Sequence, residues 1–182
     1  LNLCFEILKE MEFNELLKTR ESVRNYDPAK PVSADVLNRI LEAGRLAPSA
    51  CNYQPYKFIV VSTPEILEKV KVSYKRPWFQ DAPHILIITG NRSQAWTRSY
   101  DGYSSLETDM AIAMTHIVLA AANEGVGSCW IEAYDPAILR SALNLNAEQE
   151  VFGITPLGYP REASTGIKAK KRKTMGDLTE FI

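Results

Sequence analysis

A chain of 182 residues has the length of one domain, and 46% hydrophobic with 24% charged residues is the composition of a folded globular protein. Lys plus Arg number 21 against 22 Asp plus Glu, a net charge of −1, which argues against a protein that coats nucleic acid or an anionic membrane. Its apolar runs, such as Ile85-Leu86-Ile87-Ile88, fall far short of the roughly 20 residues that cross a bilayer. Three cysteines, Cys4, Cys51 and Cys129, cannot close into pairs and lack zinc-knuckle spacing, so a reduced, cytoplasmic protein without a metal is expected.

Residues 1–10 read as an extension of uncertain origin, and residues 11–182 as a single domain with a basic C-terminal arm. Glu6 and Glu10, with no basic start, argue against a secretory signal. Apolar residues recur at three- and four-residue steps from Leu3 to Leu17, which predicts a helix. A polar segment, Arg20 to Tyr26, follows. Ser33 reads as the N-cap of a helix bearing Val36, Leu37, Ile40 and Leu41 on one face, stopped by Ala47-Pro48-Ser49. A loop then runs through Pro55.

Phe58-Ile59-Val60-Val61 and His84 to Thr89 read as strands covered on both faces, with Thr63-Pro64 opening a helix between them. Arg92 to Ser105 is a polar, aromatic excursion predicted to be mobile. Met110, Met114, Ile117, Val118 and Ala121 form the clearest helical stripe, and Gly125 is placed to end it. Cys129-Trp130-Ile131 and Val151 to Leu157 predict two more strands, with a helix started by Asp135-Pro136 between them. Asp177 to Ile182 reads as a last strand or an arm. Buried strands among helices predict an α+β, three-layer helix–sheet–helix sandwich of mixed strand order.

Several chemistries are missing. Gly125-Val126-Gly127 leads from a helix into a strand, the reverse of a dinucleotide loop, and Trp130 replaces the third glycine. There is no Walker loop and no Gly-x-Ser-x-Gly elbow. His84 and His116, the two histidines, sit in apolar patterns where packing is the commoner role. Redox chemistry, if present, belongs to a bound cofactor.

Two segments fit such a cofactor. In an extended backbone Arg20, Ser22 and Arg24 point the same way, and two forked cations with a hydroxyl suit a phosphate. A solvated charged loop is the competing reading. In the loop Ala47-Pro48-Ser49-Ala50-Cys51-Asn52-Tyr53-Gln54-Pro55-Tyr56, Asn52 and Gln54 carry paired donors and acceptors that match a pyrimidine-like edge. The two prolines stiffen it. A plain turn before a buried strand is the alternative there.

Arg20-x-Ser22-x-Arg24, then Ala47-Pro48-Ser49-x-x-Asn52-x-Gln54-Pro55-Tyr56 before the Phe58 strand, resembles the FMN-dependent nitroreductase family. Asp109 opening an Ala-rich helix, Gly125 to Glu132, Pro156-Leu157-Gly158-Tyr159-Pro160 and the basic run 168–173 match in the same order. The resemblance implies a mainly antiparallel sheet and a homodimer with FMN at each subunit interface. It implies that Arg20 and Ser22 hold the phosphate and ribityl end, and that Arg24 lies at the flavin N1/C2 edge. By the same resemblance Pro48, Ser49, Ala50, Asn52 and Gln54 come from the partner subunit, and Ile131, Glu132 and Ala133 run beside N5 with their N–H groups toward it. Lys170 and Arg172 close on the phosphate. No side chain is implied to be catalytic, because flavin N5 carries the hydride, and no metal is implied.

The implied activity is ping-pong electron transfer from NADH or NADPH to nitroaromatic, quinone or similar flat acceptors. A specialised flavin enzyme (a reductive dehalogenase or a flavin-modifying enzyme) and a non-catalytic FMN-binding redox protein are the alternatives. Neither nucleic acid nor membrane is an expected partner. Trp78, Phe79, Trp96, Tyr100 and Tyr103 are candidate walls of the substrate side, with ordinary loop anchoring as the other reading; Ala50 and Tyr56 depart from the family's frequent serine and tryptophan.

Overall fold

Helix and strand start signals set the order of elements in the computed structural model, which describes residues 12–162 and 169–182. The expected head of the first helix and Lys168 fall outside those residues. The described helix, α1 (Phe13–Thr19), is followed by α2 (Ala34–Arg45), whose cap Ser33 accepts the Val36 N–H. After a 3-10 turn at Ala50–Asn52 comes β1 (Tyr56–Val61), then α3 (Pro64–Lys71) with Pro64 in its first turn, α4 (Pro77–Gln80) and β2 (His84–Asn91). The long helix α5 (Leu106–Asn123) leads to β3 (Gly127–Ser128). Asp135 caps α6 (Pro136–Leu143) by accepting the Ala137 and Ile138 N–H groups. The chain closes with β4 (Gln149–Gly158) and α7 (Met175–Leu178).

The sheet order is β1-β2-β4-β3, and every pairing between these strands is antiparallel. Among the described residues the parallel component is a single bridge, Ser22 to Ser128. Along β2, Ile85, Leu86, Ile87 and Ile88 are fully buried, and alternation sends them to opposite faces. Leu86 and Ile88 join Ile40, Met110, Met114 and Ile117 from α2 and α5. Ile85 and Ile87 join Leu67, Val70, Phe79 and Leu139 from α3, α4 and α6. These are the three layers. Each such side chain contributes about 1.5–3 kcal/mol of hydrophobic stabilisation when fully buried. The edge strand β1 is covered on both faces in the same alternating way, Phe58 and Val60 on one side, Ile59 and Val61 on the other.

One sequence expectation is corrected and two are made specific. The strand expected at Cys129 to Ile131 shortens to β3 plus a bridge from Ile131 to Ile154, because strand pairing lapses at Cys129 and Trp130. Of the two readings of Asp177 to Ile182, a last strand or an arm, the arm is found: it starts from α7, where Thr174 and Asp177 form a reciprocal capping box. The excursion between β2 and α5 carries a 3-10 turn at Arg92–Gln94 and a bridge from Thr97 to Ser104.

Two glycines position the site. Gly125 adopts φ +70 and ends α5 in a Schellman turn, with Val126 N–H bonded to Ala121 O and Gly125 N–H to Ala122 O. At Gly127 a Cβ would lie 2.8 Å from Val23 Cγ1, so a glycine there lets the Arg20–Arg24 segment lie against β3.

Candidate functional site

The Arg20–Arg24 segment leaves α1 in extended form and is fastened by its backbone, the Val23 N–H donating to Ser128 O at 2.9 Å. Val23 packs inward against the core. Arg24, Ser22 and Arg20 all lie near enough to the Cys129 thiol to favour its charged form. Burial pushes the Cys129 thiol up, against the opposing influence of Arg24, Ser22 and Arg20.

The basic tail returns to the same place. Lys170 donates to Leu17 O, the last-turn carbonyl of α1, at 2.6 Å. Burial lowers the Lys170 pKa, and the like charges of Arg20 and Arg172 lower it further, with Glu21 opposing. Arg20, Ser22, Arg24, Lys170 and Arg172 thus form one cationic cluster. Among the described residues, none of its four cations is in an ion pair. Elsewhere the guanidiniums of Arg39, Arg45, Arg92, Arg98 and Arg161 each hold a carboxylate.

The second group is the loop of Pro48, Ser49, Ala50, Asn52 and Gln54. Its backbone is unusual: Cys51, Asn52 and Gln54 have φ of 50, 57 and 51. A left-handed conformation costs a non-glycine residue about 1–2 kcal/mol, less for Asn, and such strain gathers at functional sites. Ser49 Oγ accepts the Gln54 N–H at 3.0 Å, and Gln54 Nε2 donates to Asn52 Oδ1 at 3.0 Å. Asn52 and Gln54 are exposed, with Cys51 and Tyr53 beside them. Among the described residues, no hydrogen bond or ion pair joins Arg20, Ser22 or Arg24 to this loop.

Beyond β3 and the intervening Cys129 and Trp130 come Ile131, Glu132 and Ala133. Ile131 is buried, and its N–H bonds to Ile154 O at 2.9 Å. It therefore has no donor to offer a ligand. The Glu132 and Ala133 N–H groups have no hydrogen-bond partner among the described residues, and both residues are exposed.

Of the aromatic residues considered as substrate walls, Phe79 is fully buried in the core. Trp78 packs against Tyr26, Tyr74 and Phe79, with the Arg24 guanidinium 5.9 Å from its ring centre. Tyr100 is almost wholly exposed and Tyr103 partly so, while Trp96 is half-buried. A cavity of about 340 Å³ lined by Lys71, Val72, Lys75, Arg76, Pro77 and Gln80 contains none of the predicted site residues.

Sequence reasoning did not find the side chain that fastens the loop. Asp109 Oδ1 accepts the Ala50 N–H at 2.9 Å, and Ser105 Oγ donates to its Oδ2 at 2.8 Å. The sequence marked Asp109 only as one of the ordered family matches, and an acidic residue in a first helical turn is explained by the helix dipole alone, so no role as an anchor followed from it. Cys129 gave no signal either, since a cysteine in a strand reads as core.

The nitroreductase family profile matches residues 17–73 and 68–159. The chain belongs to the nitroreductase family. An archaeal relative from Methanothermobacter thermautotrophicus, provisionally named NADH dehydrogenase/NAD(P)H nitroreductase, is 31% identical over 160 residues, covering 85% of this chain and 81% of its own. The crystal structure of a nitroreductase family protein from Clostridium difficile 630 superposes with a TM-score of 0.86 at 29% identity, covering 94% of this chain and 98% of the other. A provisionally assigned nitroreductase from Desulfovibrio desulfuricans, solved in complex with FMN, shares the fold with a TM-score of 0.77 at 23% identity, covering 91% and 94%. The nitroreductase fold of this chain is thus the α+β sandwich described above.

Proposed function

We propose that this nitroreductase-family chain is an FMN-dependent oxidoreductase that uses NADH or NADPH to reduce nitroaromatic, quinone or similar flat electrophiles, as a homodimer with a site at each subunit interface. The observation that carries the reading is the cluster of Arg20, Arg24, Lys170 and Arg172 around Ser22, four cations that hold no ion pair among the described residues. Cations gathered in excess over the nearby carboxylate, Glu21, favour a bound anion. Two guanidiniums, an ammonium and a hydroxyl suit a phosphate and its ribityl chain. The Glu132 and Ala133 N–H groups, unbonded among the described residues, and the exposed amides of Asn52 and Gln54 suit a ring with alternating acceptors and donors. These residues fit FMN.

Arg20, Ser22, Lys170 and Arg172 would hold the phosphorylated tail. Arg24 would stand at the N1/C2 edge, where a permanent cation favours the electron-rich state and raises the reduction potential. Glu132 and Ala133 would present backbone donors near N5; Ile131 would contribute apolar packing in place of the donor expected of it. Pro48, Ser49, Ala50, Asn52 and Gln54 would come from the partner subunit, consistent with an exposed loop that makes no bond to the cations of its own chain. When bound, FMN supplies the centre that accepts and returns a hydride. Donor and acceptor would use one face in turn, the ping-pong order, since Gly125-Val126-Gly127 joins a helix to a strand and offers no separate dinucleotide site.

The test is anaerobic turnover of FMN-loaded protein with NADH and with NADPH across nitroaromatic and quinone acceptors. Parallel initial-velocity lines with any acceptor support the reading; colourless protein that refuses added FMN overturns it.

A further inference from the structure

The loop from Ser49 to Pro55 holds its left-handed residues mostly by bonds within itself. Asn52 N–H donates to Ser49 O, Tyr53 N–H to Ala50 O and Gln54 N–H to Ser49 Oγ. Among the described residues, two hydrogen bonds join it to the rest of the protein. At its end Pro55 O accepts the Asn91 N–H of β2 at 2.9 Å. At its start the Ala50 N–H donates to Asp109 Oδ1, the one side chain outside the loop that bonds to it among the described residues.

Asp109 is suited to that work. It is 2% exposed, and among the described residues no cation pairs with it. A buried carboxylate without a cation relies on hydrogen-bond donors. Here those donors are the Ala50 N–H and the Ser105 hydroxyl, one on each oxygen. Ser105 is itself buried and immediately precedes α5, so the carboxylate is aimed from a rigid element. The Tyr56 hydroxyl, buried without a partner among the described residues, lies within the reach of the Asp109 charge.

We infer that Asp109 is a positioning residue for cofactor binding: oriented by Ser105, it anchors the Ala50 amide so that Asn52 and Gln54 are presented in one fixed geometry to the flavin ring. This rests on the reading of the loop as a flavin-binding element, while the anchoring itself can be measured without flavin. Pre-organised donors lower the ordering cost of binding, so losing the anchor should show as loop opening and as weaker FMN uptake together.

The experiment uses the full chain and compares Asp109→Ala, Asp109→Asn and Ser105→Ala with wild type. Backbone hydrogen exchange is followed by mass spectrometry without FMN, and FMN binding by titration of the apoprotein. Asp109→Ala should accelerate exchange in a peptide covering residues 47–55 by about tenfold or more, leave β2 and β4 unchanged, and weaken FMN binding by about tenfold or more, the scale of one lost charged hydrogen bond. Asp109→Asn keeps an acceptor for Ala50 and a partner for Ser105, and should stay within about threefold of wild type on both readouts. If Asp109→Ala fails to fold, Ser105→Ala decides, with about threefold faster loop exchange expected. Loop exchange that does not change, or acceleration spread equally through β2 and β4, overturns the inference. Wild-type protein that takes up no FMN removes the flavin reading, while the exchange arm still judges the anchor.

Discussion

The Val32 N–H donates to His84 Nε2 at 3.1 Å across 52 positions of sequence. Because Nε2 is the acceptor there, the ring proton sits on Nδ1 and is donated to Ser62 Oγ at 2.7 Å. Burial holds the His84 pKa below its usual value. The depressed folded value means that the neutral ring stabilises the fold above the unfolded pKa of about 6.5, and that this stability is lost as pH falls through the folded pKa. His84→Ala should cost about 1–3 kcal/mol at pH 7.5 by leaving the Val32 amide unsatisfied. Urea denaturation at pH 7.5 and pH 5.5 should show the gap between wild type and variant narrowing at the lower pH. A gap that stays constant would exclude His84 as the source.

Arg20→Ala should lower the affinity for FMN by about tenfold to a hundredfold, the loss of a charged hydrogen bond worth about 1.5–3 kcal/mol. The effect should grow at low ionic strength, because a phosphate contact is screened by salt. Arg98→Ala is the control: its guanidinium already holds Asp101, and FMN affinity should not change.

The proposed shared-site arrangement has a sharp genetic consequence. Arg20→Ala and Asn52→Ala/Gln54→Ala chains should each retain little FMN as homodimers. Mixed dimers of the two carry one intact site, built from the unmutated Arg20 of one chain and the unmutated loop of its partner. Co-expression with two affinity tags should therefore recover bound flavin in the doubly tagged fraction. If both halves of each site came from the same chain, nothing would be recovered.

Gly127→Ala would place a Cβ 2.8 Å from Val23 Cγ1. Overpacking of this kind costs about 1–3 kcal/mol, and here it also pushes the cation-bearing segment away from β3. Thermal unfolding should show the loss, and apoprotein titration should show weaker FMN binding. Gly176→Ala, where the nearest atom is 3.8 Å away, should stay within about 0.5 kcal/mol.

Much of this was legible in the sequence because the physics is local. Alternation placed Arg20, Ser22 and Arg24 on one side, and Asp135-Pro136 announced a capped helix. The apolar run of β2 identified the strand that ends up at the centre of the sheet. Other features depend on distant partners and left no local mark. The commitment of the Ile131 N–H is decided by Ile154, in a strand that begins 18 residues further on in the sequence. Phe79 and Trp78 share a short aromatic helix, and only the packing of α3 and α6 decides that the first is core and the second stands beside Arg24. Asp109 looks like an ordinary first-turn acid until the loop folds over it.

The backbone bridge from Ser22 to Ser128 ties the site's charges to the least changeable part of the molecule. Side chains at positions 20, 22 and 24 ride on a rail set by main-chain atoms, so exchanging one cation for another alters what is grasped without altering where the grip is. Selection or an engineer can retune this surface residue by residue while the scaffold beneath stays in register.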